Sequence, residues 1–440
     1  MALKPLGQPA SSTRLQPKSP AQSAPPPDKA WRLRWLLASP HRLTFFAAGV
    51  LFALSALWWT ALLCMRSLQI AIPWQLMPAT AHALVMTLGF MPLFMAGFLF
   101  TAGPRWLNMP EVPAKRMLPQ VISTLMGWPI CVIGCHISLL LAAMGMALVA
   151  AAWLALIVQF MRLWYRSQAH DKAHATGVLW AGGVGAVAMG VITFGLLAGQ
   201  ETIIRAATQV ALWMFIATVF AVVSHRMIPF FSATAIASLD AWHPLWLLVC
   251  LVSALVLEGV FAAVDLYLYP GAELWRWMQV AIEAPAALLL LWLALRWGLL
   301  QSLKIRLLAM LFGGFVWLGI ALAMQAISHT LMALSHDQQS LGLAPLHAMT
   351  MGYLGATLFA MATRVSCGHS GRSLVADNFA WAFYWILQTA VVLRIASALL
   401  PQTGNWLLLA AAAAWTVSAC AWAVRYGRWF GRPRLDGRAG

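Results

Sequence analysis

The feature that most constrains this chain is a series of apolar runs, each long enough to cross a membrane. Short polar segments separate the runs between residues 43 and 425. A helix needs about 20 apolar residues to span the hydrocarbon core of a bilayer. Only 9% of the residues are charged and 62% are hydrophobic, whereas a soluble domain carries about 25% charged residues. The sequence therefore predicts an all-α fold, a polytopic membrane helix bundle of about twelve transmembrane helices.

The polar segments divide the chain into a membrane domain with a tail at each end. Residues 1–38 are rich in Pro, Ser, Ala and Gln and predict a disordered basic tail. Residues 39–430 are predicted as the membrane domain, and residues 431–440 as a short basic tail. The predicted spans lie near 43–64, 79–101, 117–137, 139–161, 174–198, 205–224, 243–264, 275–298, 307–331, 343–363, 377–400 and 405–425.

The basic residues are distributed unequally between the two sides of these spans. With twelve spans, 24 of the 28 Lys and Arg residues fall in the two tails and the loops on their side, and three fall in the loops opposite. Positive charge favours the cytoplasmic side, so both termini are predicted to be cytoplasmic. The same distribution explains the net charge of +16 by topology. It makes the lipid bilayer the predicted partner and leaves no reason to expect nucleic acid.

Five histidines are predicted to lie near the outer side of the membrane. They are His82, His136, His329, His336 and His347. Neutral imidazole is a ligand for haem iron, copper and zinc, and two histidines on facing helices are able to hold a haem axially. His82 and His347 are the predicted pair, because both lie just inside the outer ends of their spans. The others are candidate ligands for copper or a second haem, and a structural, hydrogen-bonded role is the alternative for each.

Three charged residues lie well inside predicted spans, away from their ends, where an ionisable side chain is costly and is therefore a functional hypothesis. They are Glu258, Glu283 and Arg394. Arg394 is a candidate partner for a haem propionate, since arginine binds carboxylates through two hydrogen bonds. The alternative is that Arg394 pairs with one of the two glutamates. Residue counting leaves both alternatives open.

The most specific motif begins at His347. It comprises HAMTMGYLG at 347–355, MATR at 361–364 and GHSGR at 368–372. This pattern resembles the NnrS family of haem- and copper-containing membrane proteins. Further matches are His82 followed by GF at 89–90, AGFL at 96–99 and TAGPRW at 101–106; RMIPFF at 226–231; and PHRL at 40–43.

The resemblance implies a haem-binding inner-membrane protein of bacteria, acting in nitric oxide metabolism or in protection against nitrosative stress. It implies copper as a second candidate metal, and it assigns no catalytic residue. Many members carry a further His and a Glu where this chain has Leu84 and Val85, which implies that copper is absent or has other ligands. The alternative function, of a different kind, is that of a multi-span transporter of a metal or metal–nitrosyl species.

The GHSGR segment and the Arg364 before it form a second candidate site, on the cytoplasmic side. Gly368 and Gly371 permit a tight turn, while Arg364, His369 and Arg372 add positive charge. Such a loop is able to bind a phosphate or another anion. A structural turn that packs against neighbouring loops and lipid headgroups is the favoured interpretation.

Overall fold

In a computed structural model, residues 30–400 and 402–436 are described, and within them the chain is helical with no strand. Eleven helices of this part of the chain are long and apolar enough to cross a membrane. The predicted helix bundle is thereby confirmed. These helices are Pro40–Ser67, Pro78–Trp106, Ala114–Ile137, Leu139–Arg166, Ala173–Ala198, Glu201–Ala235, Leu245–Leu268, Glu273–Arg296, Arg306–Ser335, Asn378–Leu399 and Asn405–Phe430.

A further continuous helix occupies residues 344–369, where the tenth span was predicted. It consists of a short α-helix, Ala344–His347, a π-helix, Ala348–Gly355, and a second α-helix, Ala356–His369. It is less apolar than the other eleven because it carries the polar residues of the family-like motif. With this helix the described part of the chain has twelve helices long enough to cross a membrane.

The two described ends of the chain meet on one face of the bundle, which requires an even number of crossings. The Arg32 backbone N–H donates to the Gly431 carbonyl at 2.8 Å, and the Trp31 indole N–H donates to the Gly427 carbonyl at 3.1 Å. We call this side the termini face and the opposite side the far face. The contact supports counting residues 344–369 as a span.

Parts of the predicted tails pack against the bundle. Residues 1–29 lie outside the described residues, but Leu33–Ala38 forms a 3₁₀-helix directly before the first span. In the C-terminal tail, the Leu435 N–H donates to the Ser370 carbonyl at 3.1 Å. Backbone groups of both tails thus find partners at the ends of helices.

The second span is broken near its middle. It consists of the helices Pro78–Leu88 and Met91–Trp106, and the break lies immediately before Pro92. Proline has no N–H and its ring clashes with the preceding turn, so it is favoured in the first turn of a helix and not in its interior. His82 consequently lies in a short helix at the far face, separated from the longer helix by Gly89 and Phe90.

The sixth span is longer than its apolar run. The predicted span was 205–224, but the helix covers Glu201–Ala235 and contains a π-helical segment, Ala211–Ala217. His225 and Arg226 end the apolar run without ending the helix, because polar side chains at a membrane surface do not disturb backbone hydrogen bonding. The predicted span is in the correct place, but it is shorter than the helix at both ends.

The third and fourth spans are joined through the single residue Ser138 and pack closely along glycines. A Cβ atom on Gly145 would lie 2.3 Å from the Cys131 backbone nitrogen and 2.5 Å from the Gly127 carbonyl oxygen. Both neighbours are backbone atoms, which move only with the whole helix. Small residues at such crossings allow helices in a bilayer to approach closely.

We expect Gly145→Ala to destabilise the protein by about 1–3 kcal/mol, the usual cost of overpacking. Gly183→Ala is the matched control, because a Cβ atom there meets no atom within 4 Å and alanine favours a helix by up to about 1 kcal/mol over glycine. Melting temperatures in detergent should fall for the first variant and stay constant or rise for the second. Equal melting temperatures would contradict the close contact between these spans.

Candidate functional site

A cavity of about 630 Å³ opens near the far face between the first, second, sixth, tenth, eleventh and twelfth spans. This volume lies within the range of about 300–1,000 Å³ that is common for cofactor and ligand sites. Both His82 and His347 line it, as does Arg394. The structure therefore brings together the three residues that the sequence analysis assigned to cofactor binding.

His82 reaches this cavity from the short first helix of the second span. Its ring stacks on Trp59 of the first span, with a centroid distance of 4.0 Å and an interplanar angle of 27°. Its Nδ1 atom is buried and has no hydrogen-bond partner among the described residues. Buried polar groups are nearly always paired, so the unpaired atom indicates a site built for a ligand or for hydration.

His347 is oriented by a backbone hydrogen bond. Its Nδ1 atom lies 2.8 Å from the Leu343 carbonyl oxygen. Because a carbonyl only accepts hydrogen bonds, the proton of the neutral ring is assigned to Nδ1, which leaves the lone pair on Nε2. Metal-binding histidines commonly donate their other N–H to a carbonyl in this way.

Irregular helix geometry shapes the cavity wall. Leu212, in the π-helix of the sixth span, and Thr350 and Met351, in that of the tenth, all line the cavity. π-Helical segments are rare and occur often at functional sites. Gly355 lies in the π-helix of the tenth span, and a Cβ atom there would be 2.7 Å from the Trp415 ring. The glycine of the motif thus leaves room for another cavity residue.

Positive charge surrounds the cavity. Arg66 and Arg205 line it together with Arg394, and its lining contains no Asp or Glu. No carboxylate lies within 4 Å of these arginines in the part of the chain that the structure describes. Arg394 is therefore available to an anionic group of a ligand. The sequence analysis missed Arg66 and Arg205, although cations are sparse on this side.

The structure decides the alternative for Arg394. Glu283 lies against His329, with its oxygens 2.7 and 3.0 Å from His329 Nδ1, and Glu258 is buried in the seventh span. Neither glutamate forms an ion pair with Arg394 among the described residues. The two glutamates and Arg394, all predicted near the outer side, therefore lie at separate places in the fold.

The other three predicted metal ligands are not gathered into one site. His136 lies 3.0 Å from the Pro73 carbonyl and against the Trp74 ring; His329 contacts Glu283, and His336 is exposed at the end of the ninth span. In residues 30–400 and 402–436, no group of three His, Cys, Asp or Glu side chains is arranged to hold a metal ion. Their role as copper ligands stays a prediction.

The GHSGR loop packs tightly on the termini face. Gly371 has a positive φ of 71°, and a Cβ atom there would lie 2.9 Å from Asp436. The Arg372 guanidinium covers the Trp429 ring at 3.9 Å, and the Arg364 guanidinium covers Phe231 at 3.8 Å. These contacts favour a structural turn, in which glycine is needed for its backbone conformation.

Two motifs that are distant in sequence meet at this loop. The His369 ring lies over His41 of the first span with a centroid distance of 4.5 Å, and Arg42 donates to the Arg432 carbonyl at 2.8 Å. Gly368 lies beside Leu374, 3.3 Å from the position of a Cβ atom. The PHRL and GHSGR segments therefore form one packed unit with the C-terminal residues.

Three further histidines, which the sequence analysis did not single out, cluster on the termini face. His174 Nε2 lies 3.0 Å from His225 Nδ1, and His225 Nε2 lies 3.2 Å from the Pro244 carbonyl. The Arg226 guanidinium lies 3.3 Å from His174 Nδ1, and His243 packs beside both rings. The chain of hydrogen bonds uses both nitrogens of His174 and His225, so neither retains a free lone pair.

Comparison with known proteins identifies the family. No curated protein matches the chain. The family model described as NnrS protein matches residues 35–434, which includes every span and all the motifs described above. On the strength of this match over nearly the whole length, the chain belongs to the NnrS family.

Proposed function

We propose that the far-face cavity binds a haem with His82 and His347 as axial ligands. The main support for this proposal is that both histidines line one cavity of about 630 Å³, although 264 residues separate them in the sequence. His347 offers Nε2 as a neutral ligand, because its Nδ1–H is held by Leu343. His82 has an unpaired ring nitrogen and a position fixed by Trp59.

The arginines of the cavity suit the anionic edge of such a cofactor. Arg66, Arg205 and Arg394 line the site without an opposing carboxylate, and arginine binds carboxylates through paired hydrogen bonds. We assign Arg394 to a propionate because it is half-buried within the eleventh span. The remaining lining is largely apolar, as for most cofactor sites.

The family and this site together support a role in nitric oxide metabolism or in protection against nitrosative stress. Bound haem would supply a redox-active iron able to bind nitric oxide. The residues of this chain would orient the haem, neutralise its propionates and limit the access of water. Copper remains a candidate second metal, but Leu84 and Val85, at the positions of the additional family residues, are fully buried in the apolar core.

The proposed location is the inner membrane of a bacterium, with both termini in the cytoplasm. The distribution of Lys and Arg supports this orientation. The contact between the described ends agrees with it, because both ends lie on one side. The haem cavity would then open towards the outer side.

We expect His82→Ala and His347→Ala to abolish the absorption spectrum of a low-spin haem or convert it to that of a high-spin haem, since each removes one axial ligand. Oxidised and dithionite-reduced spectra of the purified protein measure this. His170→Ala is the control, because His170 is exposed before the fifth span, does not line the cavity and is not a candidate metal ligand. Wild-type protein that contains no haem after expression with adequate haem supply would overturn the assignment.

We expect a strain that lacks this protein to regain resistance to a nitric oxide donor when it receives the wild-type gene or His170→Ala. His347→Ala should fail to restore resistance, because the haem would be lost or altered. Growth rates at matched protein levels in the membrane measure the effect. Full protection by His347→Ala would show that resistance to nitric oxide does not require the haem site.

We expect single cysteines at the two faces to be labelled from opposite sides of the membrane. Ser340 is exposed in the far-face loop and Ser373 is exposed beside the GHSGR loop. In a variant without the native cysteines, a membrane-impermeant maleimide should label Ser340→Cys in intact spheroplasts and Ser373→Cys only after lysis. The reverse pattern would invert the proposed orientation.

A further inference from the structure

A second cavity, of about 400 Å³, lies at the termini face, away from the cavity that contains His82 and His347. It is formed where the second, third and fourth spans end. Phe100 comes from the second span, Arg116 from the 3₁₀-helix at the start of the third, and Arg162 and Arg166 from the last turns of the fourth. The proposed function does not use this cavity.

Three arginines line this cavity without a counter-charge from the protein. They are Arg116, Arg162 and Arg166, and the last two are one helical turn apart, so they lie on the same side of the fourth span. Among the residues that the structure describes, no carboxylate lies within 4 Å of any of the three. Glu111, in the adjoining loop, pairs with Arg105 at 3.8 Å. The cavity is therefore electropositive and suited to an anion.

Most of the remaining lining is apolar. Phe100, Met109 and Leu163 contribute to it, and the Phe100 ring packs edge-on against Phe160 with a centroid distance of 6.0 Å. A small inorganic anion would leave this apolar surface without a partner. A ligand that carries both a phosphate and a hydrocarbon chain would match both parts of the lining.

The aromatic side chains beside the cavity lie at the level expected for lipid headgroups. Tyr165 is 80% exposed between Arg162 and Arg166 in the sequence, and the Trp164 indole N–H donates to the Thr176 hydroxyl at 2.9 Å. Tyr and Trp collect at the boundary between membrane and water. Topology requires positive charge on this side of the membrane, but it does not require three arginines to line one cavity.

We propose that this cavity binds an anionic phospholipid. Arg116, Arg162 and Arg166 would hold its phosphate, and Met109 and Leu163 would contact the start of an acyl chain. Arginine binds phosphate through parallel hydrogen bonds, and basic pockets between membrane helices on the cytoplasmic side bind lipid headgroups of this kind. The bound lipid would link the ends of three spans. This proposal is independent of haem binding.

Native mass spectrometry of the purified protein tests the site with two lipids that have the same acyl chains, dioleoyl phosphatidylglycerol and dioleoyl phosphatidylcholine. Wild type should bind the anionic lipid at least about tenfold more tightly, since each nearby arginine favours it. The triple variant Arg116→Gln, Arg162→Gln, Arg166→Gln should lose most of this preference, because the phosphate would have no cationic partner in the cavity.

The matched control is the triple variant Arg34→Gln, Lys304→Gln, Arg428→Gln. It removes the same number of positive charges from exposed positions on the termini face, and none of these residues lines the cavity. It should retain the preference of wild type. An equal loss in both triple variants would overturn the proposal, because the preference would then reflect net charge and not a site.

The wild-type measurement remains decisive if the cavity variant fails to fold, since equal affinity of wild type for the two lipids also overturns the proposal. Competition with inorganic phosphate at constant ionic strength distinguishes a lipid from a soluble anion. Retention of phosphatidylglycerol in millimolar phosphate supports a lipid site. Displacement of the lipid by phosphate under these conditions would identify a site for free phosphate and overturn the assignment to a phospholipid.

Discussion

The hydrocarbon core of the membrane offers no hydrogen-bond partners to the backbone, and the rest of this structure depends on that constraint. Each segment within the core satisfies its own backbone groups and is therefore helical. The departures from regular helix are few, and several of them border one cavity. The second span breaks before Pro92, and the sixth and tenth contain π-helices at Ala211–Ala217 and Ala348–Gly355. These irregularities give the cavity its shape.

Two polar regions of opposite charge lie near the far face, one around the cavity and the other between the seventh, eighth and ninth spans. The loop after the ninth span connects them. Asp337 at its start accepts hydrogen bonds from Arg276 and from the Gly271 N–H, and Leu343 at its end holds His347. The ion pairs of Arg276 with Asp265 and Asp337 therefore anchor the segment that precedes a proposed haem ligand.

Much of the candidate site was predictable from sequence because polar residues are rare in the spans. His82, His347 and Arg394 were identified in this way, and all three line the cavity. The same reasoning grouped His136, His329 and His336 by their side of the membrane, but a shared depth does not imply contact. It also gave no indication that His174, His225 and His243 pack together. The pattern of apolar residues in a single span does not show which other helices lie beside it.

The sequence by itself determined the fold class, the approximate spans and the predicted orientation, because hydrophobic length and the distribution of Lys and Arg are local properties. The family-like motifs are also local, since each is a short run of neighbouring residues. Only the tertiary structure decided that Arg394 faces the cavity and not Glu258 or Glu283. It also revealed that Gly371 serves a packed turn beside Asp436. These outcomes depend on contacts between residues far apart in the chain, which arise only when the helices pack.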